Sequence, residues 1–128
     1  MYKSTEIYDD KPHEECGVFG IFDHDLSAVH EVYYGIFALQ HRGQESAGIT
    51  VTDGKKMETF RGMGLVTEVF RNLPEKEGHI GIGHVRYSTT GSSIPANVQP
   101  LQADSIDGPM ALAHNGNLVN TLNLRRRL

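Results

Sequence analysis

The chain has 128 residues, 38 % of them apolar and 22 % charged, with a net charge of −4. That suffices for one domain with its own core and is too little for two. The acidic balance argues against a nucleic-acid partner, whose phosphates need a basic face, and no stretch approaches the roughly 18 apolar residues of a membrane span.

Residues 1–15 are polar and aperiodic, broken by Asp9-Asp10-Lys11-Pro12, and read as a leader. They lack the apolar core of a secretory signal and carry more acid than base. The run Cys16-Gly17-Val18-Phe19-Gly20-Ile21-Phe22 is apolar and bounded by polar residues, which predicts a strand buried on both faces. Residues 27–41 form the clearest helix, because Val29, Val32, Tyr33, Ile36 and Phe37 make one apolar stripe. Asp25 or Ser27 can cap its start, and Gly43 can provide a left-handed stop behind His41 and Arg42. Ala47, Ile49 and Val51 alternate with small or polar residues, so 46–52 is a strand. Asp53-Gly54 signals a hairpin with its return strand at 56–61. Gly62-Met63-Gly64 follows as a loop, and 65–72 as a short helix.

Residues 79–87 form a second strong strand. One face carries Ile80, Ile82, His84 and Arg86; the other carries Gly81, Gly83, Val85 and Tyr87. Two glycines on one face predict close approach by another backbone. Residues 88–109 read as a long loop of the kind that carries function. A strand at 110–114, a tight turn at Asn115-Gly116-Asn117 and a helix from Thr121 complete the chain. Its tail of Arg125, Arg126 and Arg127 is a solvated helix face. Strands outnumber helices, and the helices come singly between hairpins, which predicts an α+β class with sheets packed under helices.

One cysteine excludes an internal disulfide and matches a reducing, cytoplasmic setting. A single thiol does not by itself build a zinc or iron–sulfur site, and the histidine spacings match no ligand pattern. Gly62-x-Gly64-x-x-Thr67 lacks the third glycine of a dinucleotide fingerprint and the lysine of a P-loop. Cys16 stands where the leader meets the strand. If the leader is removed, the Cys16 α-amine, with a pKa of about 7.7–8.0, becomes a base beside a nucleophile; the plainer reading is a buried core cysteine. His114-Asn115-Gly116-Asn117 is either an oxyanion hole of backbone N–H groups and an amide or an ordinary hairpin turn. Arg86 needs an anion, which is either a substrate carboxylate or a structural acid. His41-Arg42-Gly43-Gln44-Glu45-Ser46 is a polar knot that is either a helix stop or the wall of a site.

Four motifs occur in order: Cys16-Gly17-Val18-Phe19-Gly20-Ile21, then Leu39 to Gly48, then Gly81-Ile82-Gly83-His84-Val85-Arg86-Tyr87-Ser88-Thr89, then Leu112-Ala113-His114-Asn115-Gly116-Asn117-Leu118. Together they resemble the glutaminase domain of the amidophosphoribosyltransferase family, from Cys16 to the last residue. The sister glucosamine-6-phosphate synthases typically have Tyr-Arg-Gly-Tyr in place of His41-Arg42-Gly43-Gln44, and Thr-Arg-Trp in place of Val85-Arg86-Tyr87. The resemblance implies an N-terminal nucleophile (Ntn) hydrolase fold, a four-layer αββα sandwich that is truncated here. It implies a propeptide at 1–15, removed autocatalytically, and part of a class II glutamine amidotransferase domain at 16–128.

The same resemblance implies that Cys16 attacks the side-chain amide of glutamine and that ammonia passes to phosphoribosyl pyrophosphate, the first step of purine synthesis. Asn115 and Gly116 would hold the oxyanion, and Arg86 the glutamine α-carboxylate. It implies no metal or cofactor in this stretch, although full-length relatives use Mg2+ and some carry a 4Fe–4S cluster. It implies a homo-oligomer with small-molecule substrates and neither nucleic-acid nor membrane partners. Two features depart from the family. The acidic residue for the substrate α-amine and the phosphoribosyl-transfer domain lie beyond residue 128, and with the leader attached Cys16 is not N-terminal, so the chain as it stands is expected to be nearly inactive. Open apolar edges are expected to favour self-association. Other readings are an inactive interaction or regulatory module of this fold, and the glutaminase part of another amidotransferase. A papain-like cysteine protease fits less well, since its cysteine is not embedded in a strand after a short leader.

Overall fold

The structure, a computed structural model, describes residues 16–87, 93–116 and 118–128. The leader, Ser88, Thr89 and Asn117 lie outside the described residues. In chain order the elements are β1 (Gly17–Phe22), α1 (Ala28–Ala38), a 3-10 turn (Gln40–Arg42), β2 (Ser46–Thr52), β3 (Met57–Met63), α2 (Val66–Val69) and β4 (Ile80–Arg86). A second 3-10 turn (Pro95–Asn97), β5 (Leu101–Ser105), β6 (Gly108–Leu112) and α3 (Thr121–Arg125) follow.

β1 to β4 make one antiparallel sheet in the order β1-β4-β2-β3, and β5 pairs with β6. The mixture is α+β, as expected. β2 is buried on both faces because each is covered. Ala47, Ile49 and Val51 point at α1, where they join Val29, Val32, Ile36, Val66, Phe70 and Val85 in the core. On the other face Thr50 and Thr59 share a 2.7 Å hydrogen bond, and Thr59 donates to Gln102 at 2.9 Å, which ties β5 across the sheet. A partly open pocket of about 90 Å³ lies on this face, lined by Thr50, Thr52, Met57, Ile80 and Ile82 of the sheet and by Ala111 of β6.

The stripe predicted for the helix does most of this packing. Val29, Val32 and Ile36 are fully buried, Tyr33 is half-buried, and Phe37 at the rim is 49 % exposed. Each buried aliphatic side chain contributes about 1.5–3 kcal/mol. The helix can sit this low because Gly81 and Gly83 face it. A Cβ at Gly81 would lie 2.6 Å from Val32 Cγ2, and one at Gly83 would lie 2.5 Å from Ile36 Cγ2. Close approach was expected there; helix side chains come nearest, and the Ala28 backbone carbonyl oxygen is 3.3 Å from the Gly81 Cβ position.

Several boundaries differ from expectation. β1 is buried on one face only: Phe19 and Ile21 pack under α1, while Val18 and Phe22 are 42 % and 61 % exposed. It lies at the sheet edge, where nothing described covers its second face. Ser27 occupies the helix N-cap position, but its hydroxyl donates to the Asp23 carboxylate instead of accepting from the first turn. Gly43 is extended, with φ −159°, so it is no left-handed stop. The helix ends instead by tightening into the 3-10 turn. Gly62 and Met63 belong to β3, and the turn comes at Gly64, with φ +113°. The expected loop at 88–109 contains β5. Leu101-Gln102-Ala103-Asp104-Ser105 lacks β-branched residues and signals no strand; pairing with β6 makes it one.

Candidate active site

Cys16 immediately precedes β1, and the pairing of Gly17 with Val85 brings it beside the end of β4. Its thiol donates to the Tyr87 carbonyl at 3.3 Å and accepts the Tyr87 N–H at 3.4 Å. The Cys16 carbonyl accepts two further donors, Asn115 Nδ2 at 2.7 Å and Arg42 Nε at 3.4 Å. Three separate segments therefore converge on one half-buried cysteine.

Each segment is fixed locally. Arg42 closes the 3-10 turn. Gln40 pins that turn by donating to the Gly43 carbonyl at 2.5 Å and accepting the Val66 N–H at 2.6 Å. Gly43 lies directly against β4: a Cβ there would be 2.6 Å from the carbonyl carbon of Arg86. Only glycine lets the turn after α1 approach the strand end that carries Arg86. Gly116 follows Asn115 with φ +136°, a conformation that side chains resist, in otherwise open space.

Arg86 ends β4, the strand paired with β1. Its Nη1 donates to the Asn97 carbonyl at 3.0 Å, and its Nε is 3.9 Å from Glu45 Oε2. Ser93 also donates to Glu45 Oε2, at 3.1 Å. Arg86 thus stands near Cys16 with a protein carboxylate beside it.

Behind the site, His84 is fully buried. Loss of water around its ring, with the nearby Arg86 and His114 charges, pushes its pKa down to about 4. Its Nε2 lies 3.2 Å from the His114 carbonyl, and the His114 N–H donates to Gln99 Oε1 at 2.8 Å.

Of the four residues predicted from sequence, Cys16 and Asn115 touch each other. Arg86 stands one strand away, and Gly116 is placed by its adjacency to Asn115. Sequence reasoning left Arg42 and Glu45 as an unassigned knot and gave no role to His84 or Gln99. The knot's run of polar residues directly behind an apolar helix was the available signal. A histidine in a glycine-flanked buried strand was a weaker one, and Gln99 had none. Among the described residues no three His, Cys, Asp or Glu side chains are grouped to hold a metal, and no helix is long and apolar enough to cross a membrane.

No protein-family model matches the chain. Individual relatives do. The amidophosphoribosyltransferase of Methanocaldococcus jannaschii is 53 % identical over 116 residues, covering 88 % of this chain and 25 % of the relative. That of Bacillus subtilis is 54 % identical over 118 residues, covering 90 % and 25 %. Among solved structures, one described as the allosteric regulatory enzyme of purine biosynthesis superposes with a TM-score of 0.78 at 52 % identity, over 86 % of this chain and 24 % of that one. The glutamine phosphoribosylpyrophosphate amidotransferase of B. subtilis, complexed with ADP and GMP, gives 0.75 at 51 %, with the same coverage. At this identity the shared backbone is that of the matched part of these enzymes, an Ntn hydrolase fold. The chain spans about a quarter of the length of the curated relatives it matches.

Proposed function

We propose, from the premise that this chain belongs to the amidophosphoribosyltransferases over the quarter of their length it spans, that Cys16 is the nucleophile of glutamine amide hydrolysis. The observation that carries this reading is the 2.7 Å contact that brings Asn115 to Cys16 across 99 residues of sequence. A thiol-bearing residue and an amide donor meet there, as acyl transfer from a carboxamide requires, and Arg86 lies on the strand paired beside them.

In this reading residues 1–15 are a propeptide. The Cys16 thiol attacks the Glu15 carbonyl, the acyl group moves from nitrogen to sulfur, and water hydrolyses the thioester. That releases the leader and frees the Cys16 α-amine, whose pKa of about 7.7–8.0 suits proton transfer near neutrality. The thiolate then adds to the glutamine side-chain carbonyl. Asn115 Nδ2 and the Gly116 N–H hold the oxyanion, and one such donor lowers the barrier by about 3 kcal/mol. The intermediate collapses, ammonia leaves with a proton passed through the α-amine, and a thioester remains. Water hydrolyses it to glutamate. Arg86 orients the substrate by its α-carboxylate in a bidentate fork.

Ammonia would attack phosphoribosyl pyrophosphate at residues outside this span, displacing pyrophosphate and giving phosphoribosylamine in the first step of purine synthesis. A 4Fe–4S cluster needs several thiolates, and the single cysteine does not fit one, so no step here involves it. Mg2+ is likewise assigned to residues outside this span. A cytoplasmic homo-oligomer is the setting this reading implies.

Intact mass before and after treatment with diazo-oxo-norleucine, a glutamine-like electrophile, tests the assignment. The expected result on the polypeptide carrying this sequence is a mass short of residues 1–15 and one adduct mapping to Cys16. Cys16→Ala should keep the leader and take no adduct. A retained leader, or an adduct on another residue, overturns it.

A further inference from the structure

His84 is not part of the chemistry just described, yet it occupies the most protected position near it. It lies on β4, fully buried, one residue from Val85, which pairs with Gly17 beside the nucleophile. A carbonyl oxygen only accepts hydrogen bonds, so the 3.2 Å contact with the His114 carbonyl requires the hydrogen to sit on Nε2. Nδ1 is then the bare nitrogen; it is buried and has no hydrogen-bond partner among the described residues. A buried polar atom left unpaired has a cost, offset here by what the opposite nitrogen holds. The backbone of His114 is held at both its polar groups, its carbonyl by His84 and its N–H by Gln99 Oε1 at 2.8 Å, so the two peptide groups flanking this residue are both fixed. The next residue is Asn115, whose amide reaches the Cys16 carbonyl. β6 ends at Leu112, so this pair of hydrogen bonds comes just where ladder pairing has stopped.

We propose that His84 is a positioning residue: with Gln99 it clamps the backbone of His114, His84 holding the peptide group that leads into Asn115, and so sets where the Asn115 amide stands relative to Cys16. The inference rests on the reading of Cys16 and Asn115 given above. Displacing a catalytic donor by about 1 Å can cost up to 100-fold in rate, so the clamp is worth more than its own two hydrogen bonds.

Two amide variants that place the donor at different reach, read together with the exchange of the Asn115 amide, separate this from a packing role. In His84→Gln the terminal amide nitrogen can reach the place of Nε2; in His84→Asn it stands nearer that of Nδ1 and falls short of the His114 carbonyl. On the polypeptide carrying this sequence, His84→Asn should lower glutaminase kcat about tenfold or more with KM for glutamine nearly unchanged. His84→Gln should restore most of it. If His84→Asn does not fold, Gln99→Leu loosens the same residue at its N–H and should likewise lower kcat. Two NMR readouts need no turnover: ¹⁵N shifts should show His84 as the Nε2–H tautomer, and exchange of the Asn115 side-chain amide should be slow in the parent and in His84→Gln but fast in His84→Asn. Equal kcat and equal Asn115 exchange in Gln and Asn variants would overturn the proposal, as would an Nδ1–H tautomer. Glutaminase activity surviving in Cys16→Ala would instead overturn the reading on which it rests.

Discussion

His84 makes the stability of this chain depend on pH in a defined window. Its folded pKa of about 4 lies below the ordinary value of 6.5, because burial, aided by the nearby Arg86 charge, outweighs the His114 carbonyl contact that favours the imidazolium. Above 6.5 the ring is neutral in both states, and the full stability is present. Between 6.5 and 4 the unfolded chain takes up a proton that the folded chain resists, so stability falls as pH falls. The difference amounts to about 2 kcal/mol by pH 5 and roughly 3 kcal/mol in all. Asp23 and Asp53 also have lowered pKa values, but they act below 3.8, under this window. Urea midpoints at pH 7 and pH 5 should therefore move apart in the parent and much less in His84→Gln.

At the scale of elements, α1 and the two-glycine face of β4 are one device. Ile36 is fully buried and fills the space a side chain at Gly83 would take. Ile36→Ala leaves a void that backbone glycine does not refill, and should cost about 2–5 kcal/mol; Ile36→Val should cost about 0.5–1.5 kcal/mol. Denaturant titration reads both. The loss belongs to the whole sheet, since α1 spans β1, β4 and β2, so unfolding should remain a single transition with a lower midpoint.

For the whole molecule, the unshared faces matter most. Val18 and Phe22 on β1, Ile80 on β4, and Met110 and Leu112 on β6 are each 42–63 % exposed. β1 is also a sheet edge with ladder groups open on one side. Exposed edges and apolar surface of this kind drive association. The 128-residue polypeptide should therefore sediment as dimers or larger species, and Phe22→Lys should shift it towards monomer. A monodisperse parent monomer would contradict this.

What could be read without the structure was whatever depends on near neighbours in sequence. The stripe of Val29, Val32 and Ile36 marks its own helix face. The alternation of Ala47, Ile49 and Val51 gives β2 its observed bounds of Ser46–Thr52. The motifs around Cys16 and Asn115 pointed to a site before any contact between them was known. Tertiary structure alone decided what distant segments do to one another. β5 is a strand because β6 pairs with it, not because of its own residues. β1 is half-exposed because of its place at the edge. Gly43 is glycine because of Arg86, which lies on another element. The clamp on His114 joins residues 15 and 30 positions away; His84 carries only a weak local signal for it and Gln99 none. Hydrophobic period is written along the chain, whereas hydrogen-bond partners are chosen only when the backbone has brought them within about 3 Å.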